Sequence, residues 1–129
     1  MSIIKSKLER IDEHIIGWYG LLLPILLEVD IYNKENQENK AEVYIKEKYG
    51  SLRIELTNCD SYLEQLINRA DTESQKICQL CGAKGKTLWI KDWCWTLCRY
   101  HAKARKKSNH DCDKTRLLFK KYVLKDNNF

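Results

Sequence analysis

CQLCGAKGKTLWIKDWCWTLCRYHA, residues 78–102, brings Cys78, Cys81, Cys94, Cys98 and His101 within reach of one another. A tetrahedral structural zinc takes four protein ligands, so this stretch offers one too many. Cys78-x2-Cys81 followed by Gly82 and Gly85 has the form of a knuckle. Two thiolates there flank a tight turn whose amides can face the sulfurs, and glycine tolerates the dihedrals such a turn needs. Lys84 and Lys86 add positive charge beside the thiols, which favours their ionised form. Lys86–Ile90 and Trp93–Leu97 then read as a hairpin turning at Lys91-Asp92. Cys98-x2-His101 opens Arg99–Lys107, a run of good helix formers, and an i, i+3 pair in a first turn points both side chains at a common ion. Sixteen residues separate Cys81 from Cys98, a spacing that reads as a zinc site.

Knuckle, hairpin and helix-start pair, in that order, resemble a treble-clef zinc finger. Cys94 competes with His101 for the fourth place. Were the segment helical throughout, Cys94 and Cys98 at i, i+4 could both bind. Trp93-Cys94-Trp95-Thr96-Leu97 is bulky and partly β-branched, however, which favours a strand. In a strand, Cys94 lies about 13 Å from Cys98 by the usual rise per residue, awkward for one small ion. The reading therefore favours one Zn2+ on Cys78, Cys81, Cys98 and His101, with Cys94 in place of His101 as the rival set. Four protein ligands leave no position for water, which makes the metal structural. Cys59 and Cys112 stand alone and read as ordinary thiols; His14 reads as a helix-surface residue and His110 as a loop residue.

Catalytic alternatives lack their parts. A redox dithiol belongs in a βαβ context, and none is visible. A zinc deaminase needs His-x-Glu and Pro-Cys-x-x-Cys, yet no Glu follows Glu73 and the only proline is Pro24. A His-metal nuclease needs further histidines, and His110 alone is too few. No phosphate-binding loop, Gly-x-Ser-x-Gly or His-Glu-x-x-His occurs. The expectation is a protein without enzymatic activity.

Upstream, Ile3, Ile4, Leu8, Ile11 and Ile15 recur at helical spacing, with Gly17 expected to end that helix. A second helix runs from residue 19 or 24 to 32, with Pro24 either in its first turn or as a kink. Residues 33–40, NKENQENK, hold nothing apolar and read as a loop. Val43 and Ile45, then Leu52, Ile54 and Leu56, alternate with polar neighbours on either side of Tyr49-Gly50-Ser51, the signature of a β-hairpin. Ser61-x-x-Glu64 is a capping-box pattern opening a third helix, with Tyr62, Leu63, Leu66, Ile67 and Ala70 on its buried side. Residues 115–124 predict a last helix packing back on the core. The fold class expected is α+β, in one continuous domain over residues 1–129.

Charge divides that domain. Residues 1–75 carry nine Lys/Arg against fourteen Asp/Glu, while residues 76–129 carry fourteen Lys/Arg against four Asp. The net +5 thus joins an acidic first part to a basic zinc-binding part that can meet phosphate or an acidic protein surface. Lys103, Arg105, Lys106 and Lys107, beside Trp89, Trp93 and Trp95, are the candidate nucleic-acid contacts, although at least two of the tryptophans are expected to pack the small metal core. Charges interrupt the first sixteen residues, so no signal-peptide core is visible there. The most apolar run, residues 17–29, reads as too short to cross a bilayer. The expected location is the cytoplasm, where Cys-x-x-Cys points to metal or redox chemistry rather than a disulfide.

Two motifs in order carry a resemblance. Ile45-Lys46-Glu47-Lys48-Tyr49-Gly50-Ser51-Leu52-Arg53 resembles the KEKFGxLR hairpin of small phage and bacterial proteins. In those proteins a helix follows, then Cys-x-x-Cys-Gly-Ala-x-Gly and Thr-Leu-Cys-x-x-His-Ala, matched here by residues 78–85 and 96–102. The resemblance implies the Cys78, Cys81, Cys98, His101 set, because the position of Cys94 is usually aromatic or aliphatic in that pattern. A small, lysine-rich zinc protein of this type is also similar to metal-binding anti-CRISPR proteins, which bind the RNA-guided nuclease of a type II CRISPR system. That likeness implies an inhibitor acting by protein–protein contact inside a bacterial host cell. A nucleic-acid-binding module using the basic part is the alternative; an immunity or adaptor protein has the same sequence signature as an inhibitor.

Overall fold

Alternation of apolar and polar side chains across residues 43–56 builds the first sheet. In the computed structural model, which describes residue 7 and residues 11–107, β1 (Val43–Lys48) pairs antiparallel with β2 (Ser51–Leu56). Val43 faces Leu56 and Ile45 faces Ile54, so one face of the ribbon is apolar. Tyr49 and Gly50 make the two-residue turn, at φ 53° and 77°, the left-handed geometry whose twist matches that of the flanking strands.

Three helical elements share one apolar core with that face. A 3-10 turn, Glu13–Trp18, is capped by the Asp12 carboxylate, which accepts from the His14 amide at 2.8 Å. It runs directly into α1 (Tyr19–Glu35), so Gly17 does not end a helix as the sequence predicts. Pro24 lies inside α1, and the helix continues past it. Leu22, Ile25, Leu26 and Val29, at i, i+3, i+4 and i+7, form the buried stripe.

α2 (Ser61–Ser74) packs against both α1 and β2. Its N-cap is Asp60, whose carboxylate accepts from the Leu63 amide at 2.8 Å. The cap therefore sits one residue before the Ser61 that the box pattern indicated. Leu63 and Ala70 are buried and Leu66 and Ile67 partly so, but Tyr62 is 53% exposed and belongs to the solvent side. A residue directly before the buried one points a third of a turn away.

Glu13–Glu35 forms a continuous helical stretch of 23 residues, by length and composition enough to cross a bilayer. This corrects the expectation that the apolar run is too short. In this fold its buried side chains join the core with Val43, Leu52, Ile54 and Leu63.

The second sheet, β3 (Lys86–Ile90) with β4 (Trp93–Leu97), turns at Lys91 and Asp92 and leads into α3 (Arg99–Lys107). It has its own apolar cluster of Leu80, Ile90, Trp95, Leu97 and Ala102 around the cysteines. The structure is thus α+β, with helices and two small antiparallel hairpins. Of the predicted features, Ile3, Ile4 and Leu8 of the first helix, the helix over residues 115–124, His110 and Cys112 lie outside the described residues.

Candidate metal centre

The knuckle begins where α2 stops. The Cys78 amide donates to the Ala83 carbonyl at 2.7 Å and the Gly82 amide donates back to the Cys78 carbonyl at 2.9 Å. Gly82 sits at φ 84°, a conformation that side chains other than glycine's strain to adopt. A second glycine, remote in sequence, makes the turn possible in three dimensions. A Cβ on Gly17 would collide with the Cys78 carbonyl oxygen and lie 2.6 Å from the Gly82 nitrogen and 2.7 Å from the Cys81 nitrogen. The Gly17 amide donates to the Gln79 carbonyl at 2.8 Å, locking the two backbones together.

The second ligand pair comes from the start of α3. Cys98 precedes Arg99, the first helical residue, and its Sγ accepts from the His101 amide at 3.4 Å. That is the bond an N-cap side chain makes, here with sulfur as the acceptor. It places a thiolate at the positive end of the helix.

Cys78, Cys81, Cys98 and His101 offer four ligand atoms that all lie within 4.8 Å of one another, enough to hold one metal ion. Cys81 Sγ is 3.8 Å from Cys98 Sγ. His101 Nδ1 is 3.1 Å from Cys98 Sγ and 3.6 Å from Cys78 Sγ. Cys78, Cys98 and His101 are buried, and Cys81 is partly exposed. The Tyr100 ring meets the His101 ring edge-on at 5.6 Å. No two of Cys59, Cys78, Cys81, Cys94 and Cys98 are joined in a disulfide.

The cluster distributes protons unequally. Hydrogen bonding with Cys78, then with Cys81, holds the Cys98 thiol well below its ordinary pKa. Bonds to Cys78 and Cys98, reinforced by burial, push Cys81 up. Burial alone would lower His101, but its bonds to the Cys78 and Cys98 sulfurs outweigh that and raise it to about 9. The shifts of Cys98 and His101 favour an ionised Cys98 thiol and a protonated His101 ring.

Cys94 stands apart from these four. It lies on β4 opposite Trp89, and its Sγ donates to the Tyr49 carbonyl at 3.1 Å, tying the tip of the first hairpin to the second. Burial, with Glu47 nearby, raises its pKa.

The basic candidates divide. The Arg105 guanidinium lies 4.5 Å over the Trp95 ring, while Lys103 and Lys106 line a different groove and Lys107 is exposed. Only Trp95 of the three tryptophans packs the metal core; Trp89 and Trp93 are 67% and 56% exposed, against the expectation that two would be covered. His14 lies on the 3-10 turn, partly exposed: its Nδ1 lies 2.9 Å from the Asp12 carboxylate and its ring 6.0 Å from that of Trp95.

Gln79 escaped the sequence reading. Lodged between two ligands and 1% exposed, its side chain donates to the His14 carbonyl at 3.0 Å and accepts from the Thr96 amide at 2.9 Å. One amide group thus joins the 3-10 turn, the knuckle and β4. A polar amide between Cys78 and Cys81, beside apolar Leu80, is the signal the sequence offers. Trp18, fully buried, does the same at the end of α2, with Nε1 donating to the carbonyls of Ser74 and Ile77 at 3.1 and 2.9 Å.

Comparison of the chain with protein-family models, with curated proteins and with solved structures gives no match.

Proposed function

We propose that this chain is a non-enzymatic binding protein, stapled by one structural zinc, that acts by docking on another protein. Tetrahedral zinc with Zn–S near 2.3 Å and Zn–N near 2.0 Å has S–S edges of about 3.8 Å and S–N edges of about 3.5 Å. The separations in the cluster, 3.8 Å between sulfurs and 3.1 to 3.6 Å from sulfur to nitrogen, support that ion. Three sulfurs and an imidazole also suit zinc better than an oxygen-seeking cation. With all four positions filled by protein, the metal's work is to hold the knuckle to the helix.

The observation that carries the docking proposal is an aromatic patch at the tips of the two hairpins. Tyr49, Trp89 and Trp93 surround a hollow of about 460 Å³ edged by Glu47, Lys48 and Asp92. All three rings are more than half exposed. Exposed aromatics gathered in one place and rimmed by charge are the composition of an interface centre, where Trp and Tyr dominate binding energy. The tips are also braced: the Thr96 hydroxyl donates to the Gly50 carbonyl and Cys94 to that of Tyr49. A preformed patch loses little entropy on binding.

The partner proposed is the RNA-guided nuclease of a type II CRISPR system, in the cytoplasm of a bacterial host, with inhibition as the outcome. That choice rests on the sequence resemblance, and the patch supplies the surface. Incubation with such a nuclease before adding guide RNA and target DNA tests it. The expected result is a stable complex and blocked cleavage, with Trp89→Ala/Trp93→Ala weakening the complex at least 100-fold, the size of two hot-spot losses. Full inhibition by that double variant would remove the patch from the proposal, and no complex with the nuclease would remove the partner.

A further inference from the structure

A second surface, which shares no residue with the aromatic patch, is a groove of about 580 Å³ lined by the knuckle, the second hairpin and α3. Lys84, Lys86, Arg99, Lys103 and Lys106 line it, over a floor that includes Leu88 and Leu97. These cations do not form one run in the sequence. Arg99, Lys103 and Lys106 fall at i, i+4 and i+7 on one face of α3, and Lys84 and Lys86 come up from the knuckle and the start of β3. The fold assembles them.

Among the described residues that line the groove there is no carboxylate, whereas two further hollows hold Asp12 and Glu47 or Glu47 and Asp92. Among the described residues, none of the ion pairs involves any of the five cations. The metal cluster nearby does not neutralise them either: a divalent ion with three thiolates and a neutral imidazole carries a single net negative charge. Like charges held together cost stability that a bound anion recovers.

We infer that this groove is a nucleic-acid site that grips the phosphate backbone without reading sequence. The spread of charge argues against a small anion. Along α3 alone the cations stand about 4.5 and 6 Å apart by helical rise, and those of the knuckle and β3 extend the surface beyond that, more than one phosphate can engage. Lysines predominate, acting as point charges suited to phosphate oxygens rather than as forks that fix one carboxylate. Among the described residues, no Asn, Gln or aromatic side chain lines the groove to pair with an adenine or stack a base. The aromatic patch lies elsewhere, so this site is independent of the docking surface.

The test is fluorescence-anisotropy titration of the zinc-loaded full chain with single- and double-stranded oligonucleotides of unrelated sequence, from 50 to 200 mM salt. Binding should be equal across sequences and fall on the order of 100-fold over that range, as release of counterions from about four phosphates requires. Lys103→Gln/Lys106→Gln should reduce the salt slope by about two, whereas Lys107→Gln, exposed but not among the residues that line the groove, should leave the slope that the groove sets. Zinc content and circular dichroism of each variant establish that it is folded. Trp89→Ala/Trp93→Ala should bind oligonucleotides as the parent does, which separates this site from the patch. Three results overturn the inference: no binding at 50 mM salt, a slope unchanged by the groove variant, or displacement of the oligonucleotide by poly-glutamate at equal charge concentration, which would assign the groove to an acidic protein.

Discussion

A methyl group at position 17 has nowhere to go. It would strike the Cys78 carbonyl and press on the amide nitrogens of Gly82 and Cys81 at 2.6 and 2.7 Å, and all three are backbone atoms that cannot swing aside. Gly17→Ala should therefore force the 3-10 turn and the knuckle apart, at about 1–3 kcal/mol, the usual cost of overpacking. Gly20, three residues on, meets nothing within 4 Å. Gly20→Ala should be neutral or stabilise by about 0.5 kcal/mol through the unfolded chain. Urea denaturation of the pair, with zinc competition by a chromophoric chelator, reads both effects. Equal stabilities would show that the knuckle does not rest on Gly17. The sequence marks both positions only as glycine; which of them a second backbone approaches is invisible to any local pattern.

Each half of the metal centre belongs to an element that cannot stand alone. The described part of α3 has nine residues, short of what an isolated helix needs in water, and the knuckle is one turn. A structural zinc at the cluster would contribute on the order of 10 kcal/mol to folding, enough to let such pieces persist. Cys98 also caps α3, so Cys98→Ala should lose both the metal and the helix start. His101→Ala should lose the metal as well. Cys94→Ser should keep one zinc per chain, since a hydroxyl can donate to the Tyr49 carbonyl as the thiol does. Metal analysis of the dialysed variants decides it; zinc retained by His101→Ala and lost from Cys94→Ser would reverse the ligand assignment. At this scale the hairpins were legible, because strand alternation and a two-residue turn are local properties. The cap of α2 was misplaced by one residue because Asp60 and Ser61 are both capping residues, and only the bond to the Leu63 amide distinguishes them.

At the scale of the whole molecule, two apolar clusters are held together by polar contacts. Gln79 and Trp18 bridge the helices to the knuckle, and the hairpin tip at Tyr49 and Gly50 is hydrogen-bonded to β4. Removing the metal should therefore be felt beyond α3. Proton uptake gives the sign of its pH dependence. In the metal-free fold His101 titrates at about 9, above its ordinary value, and Cys81 is raised too, so both hold protons at neutral pH. Their protonated forms must be displaced by zinc, and affinity should rise from pH 6 up to about 9 and fall on acidification. The stability that protonated His101 lends the metal-free fold runs the other way: it is present at low pH and lost as pH rises through about 9. Calorimetric zinc titrations in buffers of different ionisation enthalpy should show proton release at neutral pH; metal uptake without proton release would contradict this distribution.

By itself the sequence determined the α+β class, the two hairpins, the helix at residues 99–107 and the short list of metal ligands, since each follows from spacing along the chain. Only the tertiary structure decided that Gly17 and Gln79 build the knuckle, that Trp89 and Trp93 face solvent, and that Lys84, Lys86, Arg99, Lys103 and Lys106 share a groove that excludes Arg105. Periodicity tells which side of an element is covered and says nothing of what covers it. Those contacts join segments up to dozens of residues apart, and their geometry is set by packing, which leaves no repeat in the sequence to read.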